Sequence, residues 1–233
     1  MNKKVVPILF FCLFLSPFML NAQLAVTNQR LYDTIPNMPA HYEKRVALFE
    51  KEPVKTGRII FLGNSITEGG KWAQLTGDTT IINRGISGDI TFGVLRRLDD
   101  ITKRQPAKLF ILIGINDIGM DIPDDVIADN YRKIIQAVQK KSPATKIYVQ
   151  SLLPLNPDVK NFPQHYDKQE HVLKANQLIK KVAAETKAQF IDIFSLFLDS
   201  QKRLDARYTY DGLHLNQAGY ERWAKHLKQK GYL

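Results

Sequence analysis

The sequence predicts an α/β protein, a three-layer α/β/α sandwich around a mainly parallel five-stranded sheet. Five short runs rich in β-branched and aromatic residues are strand-like: Ile59–Leu62, Thr80–Asn83, Leu109–Ile113, Ile147–Ser151 and Phe190–Ile193. Segments of helical periodicity alternate with these runs, and such alternation implies parallel strands covered by helices on both faces. The third observation is the length: 233 residues with 44% hydrophobic content suit one domain with a substantial core.

The first 22 residues read as a secretory signal. Lys3 and Lys4 supply the positive region, Val5 to Met19 the apolar stretch, and Leu20-Asn21-Ala22 a small-residue cleavage site before Gln23. The stretch is short for a membrane span, so export to the periplasm or exterior is expected, with no stable membrane span after cleavage. Residues 23–57 form an expected N-terminal extension holding one helix, His41 to Glu52, with Tyr42, Val46 and Phe49 on one face. The main domain is expected over 58–233. Within it, the apolar stripes predict three long helices. Asp124–Lys141 carries Ile127, Tyr131, Ile134, Ile135 and Val138; Glu170–Lys187 carries Val172, Ala175, Ile179, Val182 and Ala183; Gln217–Lys230 carries Tyr220, Trp223, Ala224 and Leu227.

The chemistry-bearing residues fall where predicted strands end. Gly63-Asn64-Ser65-Ile66-Thr67 follows the first strand and exposes a serine, flanked by Gly63 and Gly69, that can serve as a nucleophile. Ser65 and Glu68 also fit Ser-x-x-Glu, a helix-opening capping box, and on this segment alone both readings stand. Far downstream, Asp211 lies three residues before His214 in Tyr210-Asp211-Gly212-Leu213-His214. A neutral histidine can take a serine's proton near pH 7, and a carboxylate can orient that histidine. Asn83-Arg84-Gly85-Ile86-Ser87-Gly88-Asp89 follows the second strand, where Gly88 could present its N–H. Gly114-Ile115-Asn116-Asp117 follows the third, where Asn116 offers an amide donor. Acyl transfer needs such donors for its oxyanion.

This constellation resembles the GDSL, or SGNH, hydrolase family over about Arg58 to Leu227, and most closely its platelet-activating-factor acetylhydrolase-like branch. The resemblance implies a flavodoxin-like fold and a cofactor-free, metal-free serine esterase. It implies Ser65 as nucleophile, His214 as base, Asp211 as orienting acid, and Ser65, Gly88 and Asn116 as oxyanion donors. The expected substrate is a small-molecule or carbohydrate ester with a short acyl group, most simply acetate. A lysophospholipase or thioesterase of the same fold is an alternative, as is a non-catalytic glycan-binding module. Asn64 departs from the family motif, which has aspartate there; that leaves the local loop structure open.

Other features bound the function. Cys12 is the single cysteine and lies in the signal segment, so the mature chain would have no thiol chemistry or disulfide. The formal charge of +10 would fall to +8 on losing Lys3 and Lys4. The basic residues are scattered in pairs such as Lys140-Lys141 and Lys180-Lys181, without the aromatic-interleaved patch that nucleic acid would need. Pro154 to Lys168 is irregular and follows a strand, so it reads either as a lid or wall over the site or as a surface loop. His165, Tyr166 and His171 lack an acidic or cysteine cluster for a metal. His41 and His226, in predicted helices, are expected to be structural.

Overall fold

The computed structural model describes residues 38–159 and 161–233. The expected signal segment and residues 23–37 lie outside the described residues. Strands β1 (Ile59–Gly63), β2 (Ile82–Gly85), β3 (Lys108–Leu112), β4 (Lys146–Gln150) and β5 (Gln189–Ile191) form one sheet in the order β2-β1-β3-β4-β5. Every neighbouring pair is parallel. The chain runs from β1 to β2 on one side and then to β3 on the other. The carboxyl ends of β1 and β3 therefore meet at a topological switch point, where open α/β sheets bind ligands.

Nine α-helices are described: α1 (Pro39–Lys51), α2 (Ser65–Glu68), α3 (Trp72–Thr76), α4 (Thr91–Arg96), α5 (Leu98–Thr102), α6 (Ile115–Gly119), α7 (Asp124–Lys141), α8 (Gln169–Glu185) and α9 (Gln217–Gln229). The stripes read from the sequence on the last three are buried. On one face of the sheet, Phe61, Phe110 and Tyr148 sit opposite one another on β1, β3 and β4. Their rings stack 4.7 Å apart, Trp72 stacks on Phe61 at 3.9 Å, and Trp223 meets Phe61 edge-on. Such pairs contribute about 0.5–1.5 kcal/mol each beyond area burial. The alternation of a strand turns Ile60, Leu62, Leu109 and Ile111 to the other face, where all are buried. Just past β3, the Tyr131 hydroxyl of α7 donates to Ile113 O at 2.7 Å and accepts from Ile113 N at 3.0 Å, fixing the start of the loop that carries Asn116.

β1, β3 and β4 fall within one residue of their expected bounds, and two strands differ by two residues at an end. β2 starts at Ile82 rather than Thr80, because the Asp78 carboxylate takes both the N–H and the hydroxyl of Thr80 into a local turn. It runs on through Arg84, a polar residue hidden from the apolar pattern and buried between Glu52 and Asp100. β5 ends at Ile191 rather than Ile193, since the Ser151 hydroxyl accepts from Ile193 N and Phe194 N and draws the chain off the ladder.

Helix α1 is bonded into the same body. Arg104 donates to Phe49 O and Pro53 O, Tyr42 to Gly93 O at 2.8 Å, and Arg84 lies 4.3 Å over the Phe49 ring. Among the described residues no helix is long and apolar enough to cross a membrane.

Candidate active site

β1 delivers Ser65 through a turn that admits little variation. A side chain at Gly63 would begin 2.2 Å from Leu112 O and 2.3 Å from the Thr67 hydroxyl, so only glycine fits between β1, β3 and α2. Asn64 is the residue that caps α2: its Oδ1 accepts from Ile66 N at 3.1 Å, and Ser65 is the first helical residue. The Ser65–Glu68 capping box is thus not formed; Ser65 is left free to face outward, and Glu68 turns elsewhere. Asn64 supplies the same kind of acceptor oxygen that an aspartate would, which accounts for the departure from the motif. Thr67 O receives the Trp72 indole N–H and Ile66 O the Tyr220 hydroxyl, so the core aromatics hold the turn from beneath.

His214 and Asp211 lie on a loop closed on itself by Thr209. The Thr209 hydroxyl donates to His214 O and accepts from Asp211 N and Gly212 N, while Gly212 adopts φ +84°. Asp211 is buried and accepts three bonds: Oδ1 from Leu213 N at 3.0 Å and His214 N at 2.7 Å, Oδ2 from His214 Nδ1 at 2.7 Å. A carboxylate only accepts, so Nδ1 carries the proton. Nε2 is left as the acceptor for the Ser65 hydroxyl, 2.8 Å away. The arrangement can withdraw a proton from Ser65 and hold the resulting imidazolium.

Ser65, Gly88, Asn116 and His214 line one open cleft of about 610 Å³, with Asp211 behind the imidazole. Gly88 is the third residue of a tight turn closed by Asp89 N to Ile86 O at 3.1 Å, and its φ of +77° is what a type II turn requires there. Asn116 is 8% exposed and donates one amide hydrogen to Asp89 O at 2.9 Å, which leaves the other for the cleft. Asp89 is paired with Arg97 at 2.8 Å, both buried, and Arg97 also donates to Gly63 O. Burial pushes the Asp89 carboxyl up while Arg97 opposes it. The next residue, Asp117, is fully buried and accepts from Thr91 N and Oγ1. Burial raises its pKa to about 7 against those bonds. The loops after β1, β2 and β3 are thereby joined by polar contacts beneath the cleft.

Several cleft residues carry no sequence signal of their own. Tyr210, next to Asp211, lies parallel to the His214 ring at 6.0 Å and is 65% exposed; Phe162 meets the same imidazole edge-on at 5.3 Å. Phe162, Gln164 and His165 make part of the 154–168 stretch a wall of the cleft. His165 is buried with Nε2 3.2 Å from Ile115 O, and desolvation lowers its pKa, whereas His171 faces Asp124 at 3.3 Å. His41 Nε2 stands 3.1 Å from the carboxylate of Glu68, a residue that lines the cleft. Among the described residues no group of His, Cys, Asp and Glu side chains could hold a metal.

Comparison with known proteins gives one family. The model of the GDSL-like lipase/acylhydrolase family matches residues 61–222. Human platelet-activating factor acetylhydrolase IB subunit alpha1 is 27% identical over 179 residues, 73% of this chain and 72% of its own length. A solved structure from Streptococcus pneumonia, whose name refers to platelet activating factor, is 30% identical with a TM-score of 0.71, covering 92% of this chain and 99% of its own. An acetylxylan esterase from Geobacillus stearothermophilus shares the fold at 19% identity and a TM-score of 0.62, covering 78% of this chain and 98% of its own. The chain belongs to the GDSL-like lipase/acylhydrolase family and is a carboxylic ester hydrolase.

Proposed function

We propose that the protein hydrolyses short-chain acyl esters, chiefly acetyl esters, by a serine mechanism centred on Ser65. The observation that carries this reading is the continuous relay from Ser65 Oγ through His214 to Asp211, opening into a cleft lined by Gly88 and Asn116. Ser65 Oγ attacks the carbonyl carbon as its proton passes to His214 Nε2. The negative charge on the carbonyl oxygen is met by the N–H groups of Ser65 and Gly88 and the amide of Asn116. Collapse expels the alcohol, protonated by His214, and leaves an acyl-serine. Water, deprotonated by the same imidazole, then releases the acid and restores Ser65.

The acetyl preference is supported by the relationship to an acetylhydrolase. An acetylated carbohydrate is the alcohol part this reading favours, because the exposed Tyr210 ring beside His214 offers a flat face to the apolar side of a sugar. Export through residues 1–22 belongs to the same proposal, supported by Lys3, Lys4 and the apolar stretch that follows; the secreted chain should begin at Gln23.

The test is hydrolysis of 4-nitrophenyl acetate, butyrate and octanoate by the protein and by Ser65→Ala, followed by acetylated xylo-oligosaccharides. Rates that fall with acyl length and are lost in the variant are expected. Rates that rise with length would replace the reading by a lysophospholipase or thioesterase; sugar binding without turnover would replace it by a binding module.

A further inference from the structure

Glu68 follows Ser65 by one helical turn, yet its carboxylate reaches across to the neighbouring loop. Oε2 accepts from Ser87 N at 2.5 Å and from the Ser87 hydroxyl at 2.6 Å. His41 Nε2 lies 3.1 Å from the same oxygen, and Arg45 Nε 3.1 Å from Oε1. Burial alone would raise this carboxyl, but the Ser87 hydroxyl, His41, the Ser87 amide and Arg45 outweigh it and hold it below the ordinary carboxylate range. Glu68 is therefore a carboxylate at neutral pH, with a donor from each of two other segments.

The next residue after Ser87 is Gly88, in the left-handed conformation. Upstream, the loop is already pressed against α2. A side chain at Gly85 would begin 2.1 Å from Glu68 N, and Asn83 donates to Thr67 O, Glu68 O and Gly70 O. Ile86 N is held by Gly63 O. Ser87 is the point where the turn leaves this backbone contact, and there the Glu68 carboxylate takes both its donors.

We propose that Glu68 is a positioning residue of the oxyanion hole, locking the Ser87–Gly88 turn to the helix that begins with Ser65, with His41 and Arg45 of α1 bracing it. The proposal rests on the assignment of Ser65 and Gly88 to the oxyanion hole. Two of its donors sit on different loops, and the Glu68 carboxylate is the link made at Ser87 itself, next to Gly88. Helix α1, which lies before the segment matched by the family model, thereby takes part in the site.

The test compares Glu68→Gln and Ser87→Ala with wild type on 4-nitrophenyl acetate, with Ser65→Ala alongside. Misplacement by about 1 Å can cost on the order of a hundredfold, and loss of a whole oxyanion donor about a hundred- to a thousandfold. Glu68→Gln should lose about ten- to a hundredfold in kcat with KM within about twofold, because the ground-state ester does not use the oxyanion geometry. Ser87→Ala, which removes the hydroxyl contact and keeps the amide one, should lose less, severalfold in kcat. A merely structural role would lower the melting temperature and leave the kcat of the folded fraction unchanged. Should Glu68→Gln fail to fold, Ser87→Ala decides alone. Unchanged kcat in the folded variants, with wild-type turnover that depends on Ser65, overturns the positioning role; turnover independent of Ser65 overturns that role and the serine mechanism together.

Discussion

Replacing Asp211 with asparagine tests the relay without emptying space. The carboxylate holds Leu213 N and His214 N through Oδ1 and His214 Nδ1 through Oδ2. In Asp211→Asn the amide oxygen best retains the two backbone donors, which turns the NH₂ group toward Nδ1. Two donors cannot face each other at 2.7 Å, so Nδ1 must become the acceptor and the ring proton moves to Nε2. Nε2 points at Ser65 Oγ from 2.8 Å and no longer has a lone pair to receive the serine proton. The expected loss is about 10⁴-fold in kcat, as for a triad left in the wrong tautomer. At about 1.4 kcal/mol per tenfold that is roughly 5.5 kcal/mol of transition-state stabilisation. Stability should change by only about 1 kcal/mol, since two hydrogen bonds persist and the third is kept with its direction reversed. Steady-state kinetics on 4-nitrophenyl acetate, with a thermal melt of the same sample, give both quantities. A folded variant within tenfold of wild-type kcat would refute the role given to Asp211.

Three further outcomes follow from the same geometry. Asn116→Ala should lower kcat by about a hundred- to a thousandfold with little change in KM, and cost about 1 kcal/mol of stability by unpairing Asp89 O; a kcat within threefold in the folded variant would remove Asn116 from the oxyanion hole. Gly88→Ala forces a β-carbon into φ +77° and should cost about 1–2 kcal/mol together with a fall in kcat, read by denaturant titration and kinetics; unchanged values would mean the turn is not needed in this form. Asp117 has its pKa raised from 3.8 to about 7 by burial, so the folded state binds its proton more tightly than the unfolded chain. Its contribution is most favourable below about pH 4 and is lost progressively as pH rises to about 7. Chemical denaturation from pH 4 to 8 should therefore show a steeper decline for wild type than for Asp117→Asn, and equal slopes would contradict the shift.

Much of the fold was legible because its signals are local. The apolar runs before Gly63 and Gly114 and the stripes of α7, α8 and α9 reflect burial on a fixed period, which sequence records directly. β2 was displaced by two residues because Asp78 holds Thr80 in a local turn and because the strand runs on through a buried Arg84 compensated by Glu52 and Asp100, partners far apart in sequence. The positions Ser65, Gly88, Asn116, Asp211 and His214 could be named because each is a reactive or turn-forming residue just past a strand or in a short polar cluster. Glu68 was legible only as a cap, since its real partners, Ser87, His41 and Arg45, come from two other segments. Tyr210 and Phe162 flank the imidazole through tertiary packing, and an aromatic residue in a loop gives no sign of that.

The serine mechanism is tested most directly by reacting the protein with a fluorophosphonate probe and mapping the adduct by peptide mass spectrometry. A single adduct on Ser65, formed in wild type and suppressed in His214→Ala, is the predicted result. An adduct on another residue, or Ser65 labelling that is indifferent to His214, would contradict the relay.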